Sequence, residues 1–241
     1  MKYQGSKERI ADEIVPIMLN ERRDDSQYWV EPFCGGCSTL QRIAGKRIGS
    51  DKNKYLVAMW RDLCNGREFP ETISREFYGS VRDYIHGRNN DYDDGLAGWV
   101  GYMASFNGRF VDGGYSGHNV VGTNGKARNY IKENIANIKR QIEPLKGTEW
   151  QQGSYDEISI PPHSLIYCDP PYRDTKQYFT SIGFNHDKFY EWCRKMASEG
   201  HKVFVSEYRM PDDFTVVWER ELVNSMNQKN THKPTERLFT L

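Results

Sequence analysis

The sequence predicts a doubly wound α/β fold, and three segments carry the prediction. In each, a short β-prone run stops at residues suited to holding a ligand, as strands do at the binding edge of an open parallel sheet. The first, Tyr28-Trp29-Val30-Glu31-Pro32-Phe33, runs into Cys34-Gly35-Gly36-Cys37. The second, Arg47-Ile48-Gly49-Ser50-Asp51, ends in an acid. The third, Leu165-Ile166-Tyr167-Cys168, is followed directly by Asp169-Pro170-Pro171-Tyr172.

Helical periodicity fills the intervals. Ile10, Ile14, Ile17 and Met18 recur at helical spacing behind Ser6, a candidate cap, and place a helix before the first strand. Leu40 and Ile43 begin a helical face just after the glycines, and Asn53 to Cys64 reads as the helix after the second strand, with Leu56, Met59, Trp60 and Leu63 on one side. More than a hundred residues separate Asp51 from Leu165, far more than one crossover of a parallel sheet needs. An insert is therefore expected, dividing the chain into a core of residues 1–65 and 155–241 and a mostly helical domain over 66–154.

Within the insert, helices are expected over Phe69 to His86 and Gly95 to Phe106, separated by the acidic loop Asn89 to Asp94. Asn107 to Asn129 is rich in glycine and asparagine and shows no periodicity; such long loops in compact domains are often binding loops. Ile131, Ile135, Ile138, Ile142 and Leu145 mark a further helix. Past the third strand, Asn185 caps a helix carrying Phe189, Trp192, Cys193 and Met196, closed at Glu199-Gly200. Strands at Lys202 to Val205 and Glu236 to Leu241 complete the core.

Asp169-Pro170-Pro171-Tyr172 suits an exocyclic amine. Two consecutive prolines fix φ and remove two amide donors, so the Asp169 carboxylate and the Pro170 carbonyl stand as rigid acceptors for the two hydrogens of an NH2 group. Tyr172 adds a flat face for a base extruded from a helix. The same four residues also make an ordinary strand-terminating turn, so the reading depends on its company. The Gly35-Gly36 pair lets backbone approach a ligand with no Cβ in the way, ahead of the free amides of a helix start. Asp51, about fifteen residues on, stands where a carboxylate accepts from ribose hydroxyls. At the amino end, Tyr3-Gln4-Gly5-Ser6-Lys7 sets a cation at a helix start, placed to hold a carboxylate.

In this order, Tyr3-x-Gly5-Ser6-Lys7, Glu31-Pro32-Phe33-Cys34-Gly35-Gly36, Asp51 and Asp169-Pro170-Pro171-Tyr172 resemble the Dam-like class of S-adenosylmethionine-dependent DNA adenine-N6 methyltransferases, over residues 1–60 and 160–241. Ser206 to Pro211 and the closing Glu236 to Leu241 look like phage and prophage members. The resemblance implies a Rossmann-like methyltransferase core with an inserted target-recognition domain, and S-adenosylmethionine as cofactor. It implies Tyr3, Gly5, Lys7, Phe33, Gly35, Gly36, Asp51 and Asp169 as cofactor contacts and Asp169, Pro170, Pro171 and Tyr172 as the catalytic motif. D-P-P-Y alone also occurs in RNA and protein-glutamine methyltransferases, so the order of the motifs carries the specificity.

Charge places the DNA face in the second half of the insert. From Asn107 to Lys146 there are seven basic residues against three acids, a net +4. Lys126 and Arg128 are placed for phosphates, while Asn107 and Arg109, flanked by Phe106 and Phe110, are placed to reach base edges or fill the gap left by a flipped base. Phe106-Asn107-Gly108-Arg109-Phe110 resembles the family's aromatic-Asn-Gly-x-x-Arg segment loosely and is shorter, so the target sequence does not transfer. A flap over Arg173 to Phe184, with Tyr178 and Phe179, and the basic loop Lys229 to Pro234 are further expected DNA contacts. His186 and His232 are read as non-catalytic, and no metal set is evident.

Global properties bound the reading. Net charge is zero, which gives no overall DNA-attracting field. No run approaches the length of a membrane span, and Met1-Lys2-Tyr3 opens the first motif, so a cytoplasmic protein of a bacterial or phage-infected cell is expected. The expected partner is double-stranded DNA, with room for a restriction endonuclease counterpart and a monomer or weak dimer as the working state. Cys34, Cys37, Cys64, Cys168 and Cys193 form neither a disulfide framework nor a four-ligand zinc pattern. Cys34-Gly35-Gly36-Cys37 admits a rival redox reading, but that reading gives no role to Lys7, Asp51 or D-P-P-Y. Cytosine-N4 and RNA adenine amines, and an inactive nucleic-acid-binding module, stay open as alternatives.

Overall fold

The computed structural model describes residues 1–118, 120–121, 125, 127–173, 183–221 and 235–241. In chain order the elements are α1 (Ala11–Leu19), β1 (Trp29–Glu31), β2 (Arg47–Asp51), α2 (Lys54–Cys64), α3 (Arg75–Ile85) and α4 (Asp94–Met103). A small hairpin of β3 (Val120–Val121) and β4 (Ala127–Arg128) follows. Then come α5 (Tyr130–Leu145), β5 (Glu149–Gln152), β6 (Leu165–Cys168), α6 (His186–Ser198), β7 (Lys202–Glu207), β8 (Thr215–Glu221) and β9 (Thr235–Thr240).

The main sheet runs β5-β2-β1-β6-β7-β9-β8. The first five strands in that order are parallel, and β9 enters antiparallel between β7 and β8. From β1 the chain winds outward through β2 and β5, then returns to β6 on the other side of β1. The switch point of the sheet is therefore the crevice at the carboxyl ends of β1 and β6, where open α/β sheets hold their ligands.

The central strands are buried along nearly their whole length, and successive side chains alternate between two apolar layers. Trp29, Leu165, Tyr167, Phe204 and Leu238 join an apolar layer with residues of α1, α2, α4 and α5. Val30, Ile48, Ile166, Cys168, Val203, Val205 and Phe239 join the opposite layer with Phe189, Cys193 and Met196 of α6. A sheet covered on both faces is what the doubly wound arrangement requires.

Several boundaries differ from the sequence reading for local reasons. β1 stops at Glu31 because Pro32 has no amide to give the ladder, and Cys34 N bonds instead to Ser50 O at 2.8 Å. Ser6 caps a 3-10 turn, Lys7–Arg9, and α1 begins only at Ala11. The helix expected from Leu40 is a single 3-10 turn, Leu40–Arg42, since the short crossover from β1 to β2 leaves no length for more. α3 starts at Arg75, where Ser74 accepts from Phe77 N at 3.0 Å; Pro70 disfavours helix at Phe69. β5 falls within 66–154 yet pairs in parallel with β2 from Ile48↔Glu149 to Asp51↔Gln152. Arg47 of β2 secures the approach to that strand by donating to Pro144 O at 2.6 Å, Lys146 O at 2.7 Å and Thr148 Oγ1 at 2.8 Å. No described helix is long and apolar enough to cross a membrane. Lys126, 174–182 of the expected flap and the basic loop at 229–234, with His232, lie outside the described residues.

Candidate active site

Four of the parallel strands deliver an acid to the same edge of the sheet. Glu31 ends β1, Asp51 ends β2, Asp169 follows β6 and Glu207 ends β7, while Glu236 enters from the start of antiparallel β9. Lys7 is set among them. Its Nζ lies 2.7 Å from Asp169 Oδ1 and 3.5 Å from Glu236 Oε1, donates to Gly5 O at 3.2 Å, and stands 4.7 Å from the centroid of the Tyr172 ring. Burial opposes the charge on Lys7, but the two carboxylates outweigh it and hold the ammonium above the ordinary lysine range. Among the described residues no three acids or thiols are arranged to hold a metal ion.

The catalytic motif is braced on several sides. The Tyr172 hydroxyl donates to Glu236, and its ring meets Tyr208 edge-on at 4.7 Å. Glu207 accepts from Arg173 N at 3.0 Å and Tyr208 N at 2.7 Å, clamping the chain just past the motif. His186 Nε2 lies 2.9 Å from the Pro171 carbonyl, so α6 supports a double-proline turn that has no amides of its own. The Asp169 side chain keeps 21% exposure and is thus reachable. Burial pushes its carboxyl up to about 6, with Lys7 opposing the rise. Burial also takes Glu207 up to about 7 and Glu31, which accepts from Trp29 Nε1 at 2.9 Å, up to about 8.

The glycine turn and Asp51 form the neighbouring half of the site. A Cβ at Gly35 or Gly36 would lie 2.7 Å from atoms of Tyr3, so the two glycines are required by the close seat of that ring. Trp60 Nε1 donates to Gly35 O at 3.1 Å and Gln141 Nε2 to Gly36 O at 3.0 Å, which fixes the turn from beneath. Asp51 accepts from Gly35 N at 3.2 Å and Asn53 N at 2.9 Å. Burial raises its carboxyl to about 6, and backbone amides offset only part of that rise. A half-buried acceptor with capacity left fits the hydroxyl donors of a ribose. Tyr102 of α4 closes the other side, 5.8 Å from the Tyr3 ring and accepting from Asn53 Nδ2 at 3.0 Å. Phe33 is half-buried, stacked on Tyr155 at 5.6 Å with Phe184 and Phe189 on its edges. Gly5 is exposed in a left-handed turn.

The expected DNA residues lie near the amino-terminal motif. Asn107 and Arg109 are exposed, and Gly108 between them has a φ of +66° and sits where a Cβ would meet Lys2 O at 2.5 Å. The loop therefore docks on the amino-terminal motif, one residue from Tyr3. Arg128 is exposed, paired with Glu133 at 2.7 Å and 4.9 Å from the Tyr130 ring, which Lys2 also faces at 5.2 Å. Lys139 pairs with Glu71 and Lys146 with Glu143, so these pairs reduce the charge the sequence offers to phosphates.

The structure thus brings Tyr3, Lys7, Gly35, Gly36, Asp51, Asp169 and Tyr172 to one edge of the sheet. Lys7, expected to meet a cofactor carboxylate, has its ammonium on Asp169 and Glu236. Sequence reasoning missed Glu31, Glu207, Glu236, Tyr102 and Gln141. Glu31 and Glu207 carry the signal that marked Asp51, an acid closing an apolar run. The surroundings of the C-x-x-C pair are unlike those of a reactive thiol: Cys34 and Cys37 are buried, their mutual hydrogen bond and burial raise Cys34 well above the usual thiol range, and burial raises Cys37. A redox thiol needs the opposite shift.

Three comparisons relate the chain to known proteins. The retron Ec67 DNA adenine methylase of Escherichia coli is 24% identical over 222 residues, spanning 86% of this chain and 75% of that protein. The crystal structure of SMU.472 complexed with SAH covers 99% of this chain at 15% identity and a TM-score of 0.41; the chain spans about half the length of that protein, 53%. The model of the D12 class N6 adenine-specific DNA methyltransferases matches residues 3–237. With that match across nearly its whole length, the chain belongs to the D12 class of N6-adenine-specific DNA methyltransferases.

Proposed function

We propose that this chain methylates the N6 amine of an adenine flipped out of duplex DNA at a defined sequence, with Asp169 and the Pro170 carbonyl accepting the two amine hydrogens. The observation that carries this reading is the placement of Asp169 at the switch point of the sheet, reachable from outside and held by Lys7. The methyl donor of the family, S-adenosylmethionine, supplies an electrophilic methyl on a sulfonium.

An aromatic amine is a poor nucleophile because its lone pair is delocalised into the ring. Two fixed acceptors favour a pyramidal nitrogen and aim that pair along one line, a gain of position and electrostatics. Lys7 keeps Asp169 anionic against the burial that would protonate it. Tyr172, its hydroxyl tied to Glu236, presents its ring to the extruded base. Tyr3, Phe33 and the Gly35-Gly36 turn line the cofactor cleft, Gly5 shapes the loop that leads to Lys7, and Asp51 accepts from ribose hydroxyls. Residues of α3, α4 and the segment from Ser105 to Arg128 form the recognition part, with Asn107, Arg109 and Arg128 on DNA.

The test is incubation with tritiated S-adenosylmethionine and undermethylated DNA, followed by nucleoside analysis. N6-methyladenine is the expected product. N4-methylcytosine, label only in RNA, or no product overturns the assignment.

A further inference from the structure

Glu236 is a buried acid that the reaction as described above does not use. It is 3% exposed at the start of β9, a position ordinarily filled by an apolar side chain. Its carboxylate takes the Tyr172 hydroxyl and lies 3.5 Å from the same Lys7 ammonium that is 2.7 Å from Asp169. One buried and one partly exposed carboxylate therefore share one ammonium, and that ammonium bridges them.

We propose that Glu236 is a positioning residue that receives the proton leaving the amine, through Asp169 and Lys7. This rests on the reading of Asp169 as the amine's acceptor. As the amine nitrogen bonds to the donor's methyl, the methyl–sulfonium bond breaks with its electron pair staying on sulfur, which leaves as a neutral thioether; one N–H bond of the amine breaks, its electron pair stays on nitrogen and the proton passes to the Asp169 carboxylate. Lys7 gives one of its own protons to Glu236 and takes the proton from Asp169. Lys7 ends as it began, Asp169 returns to a carboxylate and Glu236 becomes a neutral acid. The charge on the nitrogen is cancelled and no further reactant is consumed.

Charged and titratable groups from four segments face Glu236. It is faced by Lys7 from the amino-terminal turn, Tyr167 and Asp169 from β6 and its end, Tyr172 from the following turn, and Glu207 and Tyr208 from the end of β7. Arg220, its register partner on β8, pairs with Glu13 instead, and Arg237 pairs with Glu219. Lys7 is thus the cation on Glu236 among the described residues, 3.5 Å away.

Glu236→Gln keeps the size of the side chain and an acceptor for Tyr172 while removing the charge. Single-turnover methyl transfer should fall about a hundredfold or more, the lower end for loss of a proton-transfer group. Cofactor and DNA affinities should stay within about twofold. The acidic limb of the pH–rate profile should move to lower pH, because a negative charge that raises Asp169 has gone, and Glu236→Asp should recover part of the rate. A parental rate in Glu236→Gln overturns the proposal, as does a slow variant with an unmoved acidic limb. If Glu236→Gln does not fold, solvent isotope effects on the parent decide: dependence on more than one transferred proton supports the relay, and none overturns it. Asp169→Asn, run in parallel, separates the two ideas. Parental activity there removes the reading of Asp169, whereas an inactive Asp169→Asn beside a fully active Glu236→Gln removes only the relay.

Discussion

Lys7 Nζ and Asp169 Oδ1 lie 2.7 Å apart with side chains only 10% and 21% exposed, joining the amino-terminal motif to the catalytic one. A surface pair of this length is worth little, but a mostly buried one leaves an uncompensated charge when either partner goes. Lys7→Met should therefore destabilise the protein by about 3–5 kcal/mol, less whatever Asp169 recovers by taking a proton. Urea unfolding at pH 7.5 measures this, and a loss under about 1 kcal/mol would mean that the pair is not structurally coupled.

Glu31 gives a pH prediction of defined sign. Its folded carboxyl is raised to about 8 from an ordinary value of 4.5, so the folded state holds a proton that the unfolded state has lost. The corresponding stability is full below pH 4.5 and declines as pH rises toward 8. Glu31→Gln keeps the acceptor for Trp29 and should flatten that decline. The variant should match the parent near pH 4.5 and exceed it at pH 8 by a few kcal/mol. Equal slopes for both proteins from pH 5 to 8 would place Glu31 in a better solvated site than its burial implies.

Asp51→Ala should weaken S-adenosylmethionine binding by about 1.5–3 kcal/mol through lost hydrogen bonds. Calorimetry reads the change directly. Because Asp51 also holds Gly35 N and Asn53 N, a melting curve run alongside tells a lost ligand contact from a collapsed turn. Unchanged affinity removes Asp51 from the cofactor site.

The outline of the site was legible where chemistry is local. An apolar run that ends in an acid marks a strand and its functional end together, which is why Asp51 and Asp169 could be placed from residues alone. Glu31 and Glu207 share that signature, but Glu31 sits inside the glycine-turn motif and Glu207 inside the Ser206 to Pro211 segment, so neither stands out as an acid of the site. Glu236 had no local signal, since its partners arrive only when β9 inserts antiparallel between β7 and β8. β5 was equally silent: Glu149-Trp150-Gln151-Gln152 is a polar edge strand without alternation. Gln141 and Tyr102 lie on helices whose periodicity was plain, yet periodicity does not say which neighbour a helix face meets.

Arg109 is exposed in a loop seated on Lys2, one residue from Tyr3. If it reads a base edge, Arg109→Ala should cost about 1–3 kcal/mol of discrimination and relax preference at one position of the target. Cofactor affinity should not move. Methylation of a randomised duplex library, sequenced after transfer, shows the change; an unaltered preference with a reduced salt slope assigns Arg109 to phosphate instead.

The most direct test of the account is single-turnover transfer by Asp169→Ala with saturating DNA and S-adenosylmethionine. Loss of one preorganised acceptor should lower the rate by about two to three orders of magnitude or more, while DNA affinity, dominated by phosphate contacts, stays near the parental value. An Asp169→Ala protein that methylates adenine at close to the parental rate would contradict the amine-acceptor role and move the catalytic centre elsewhere.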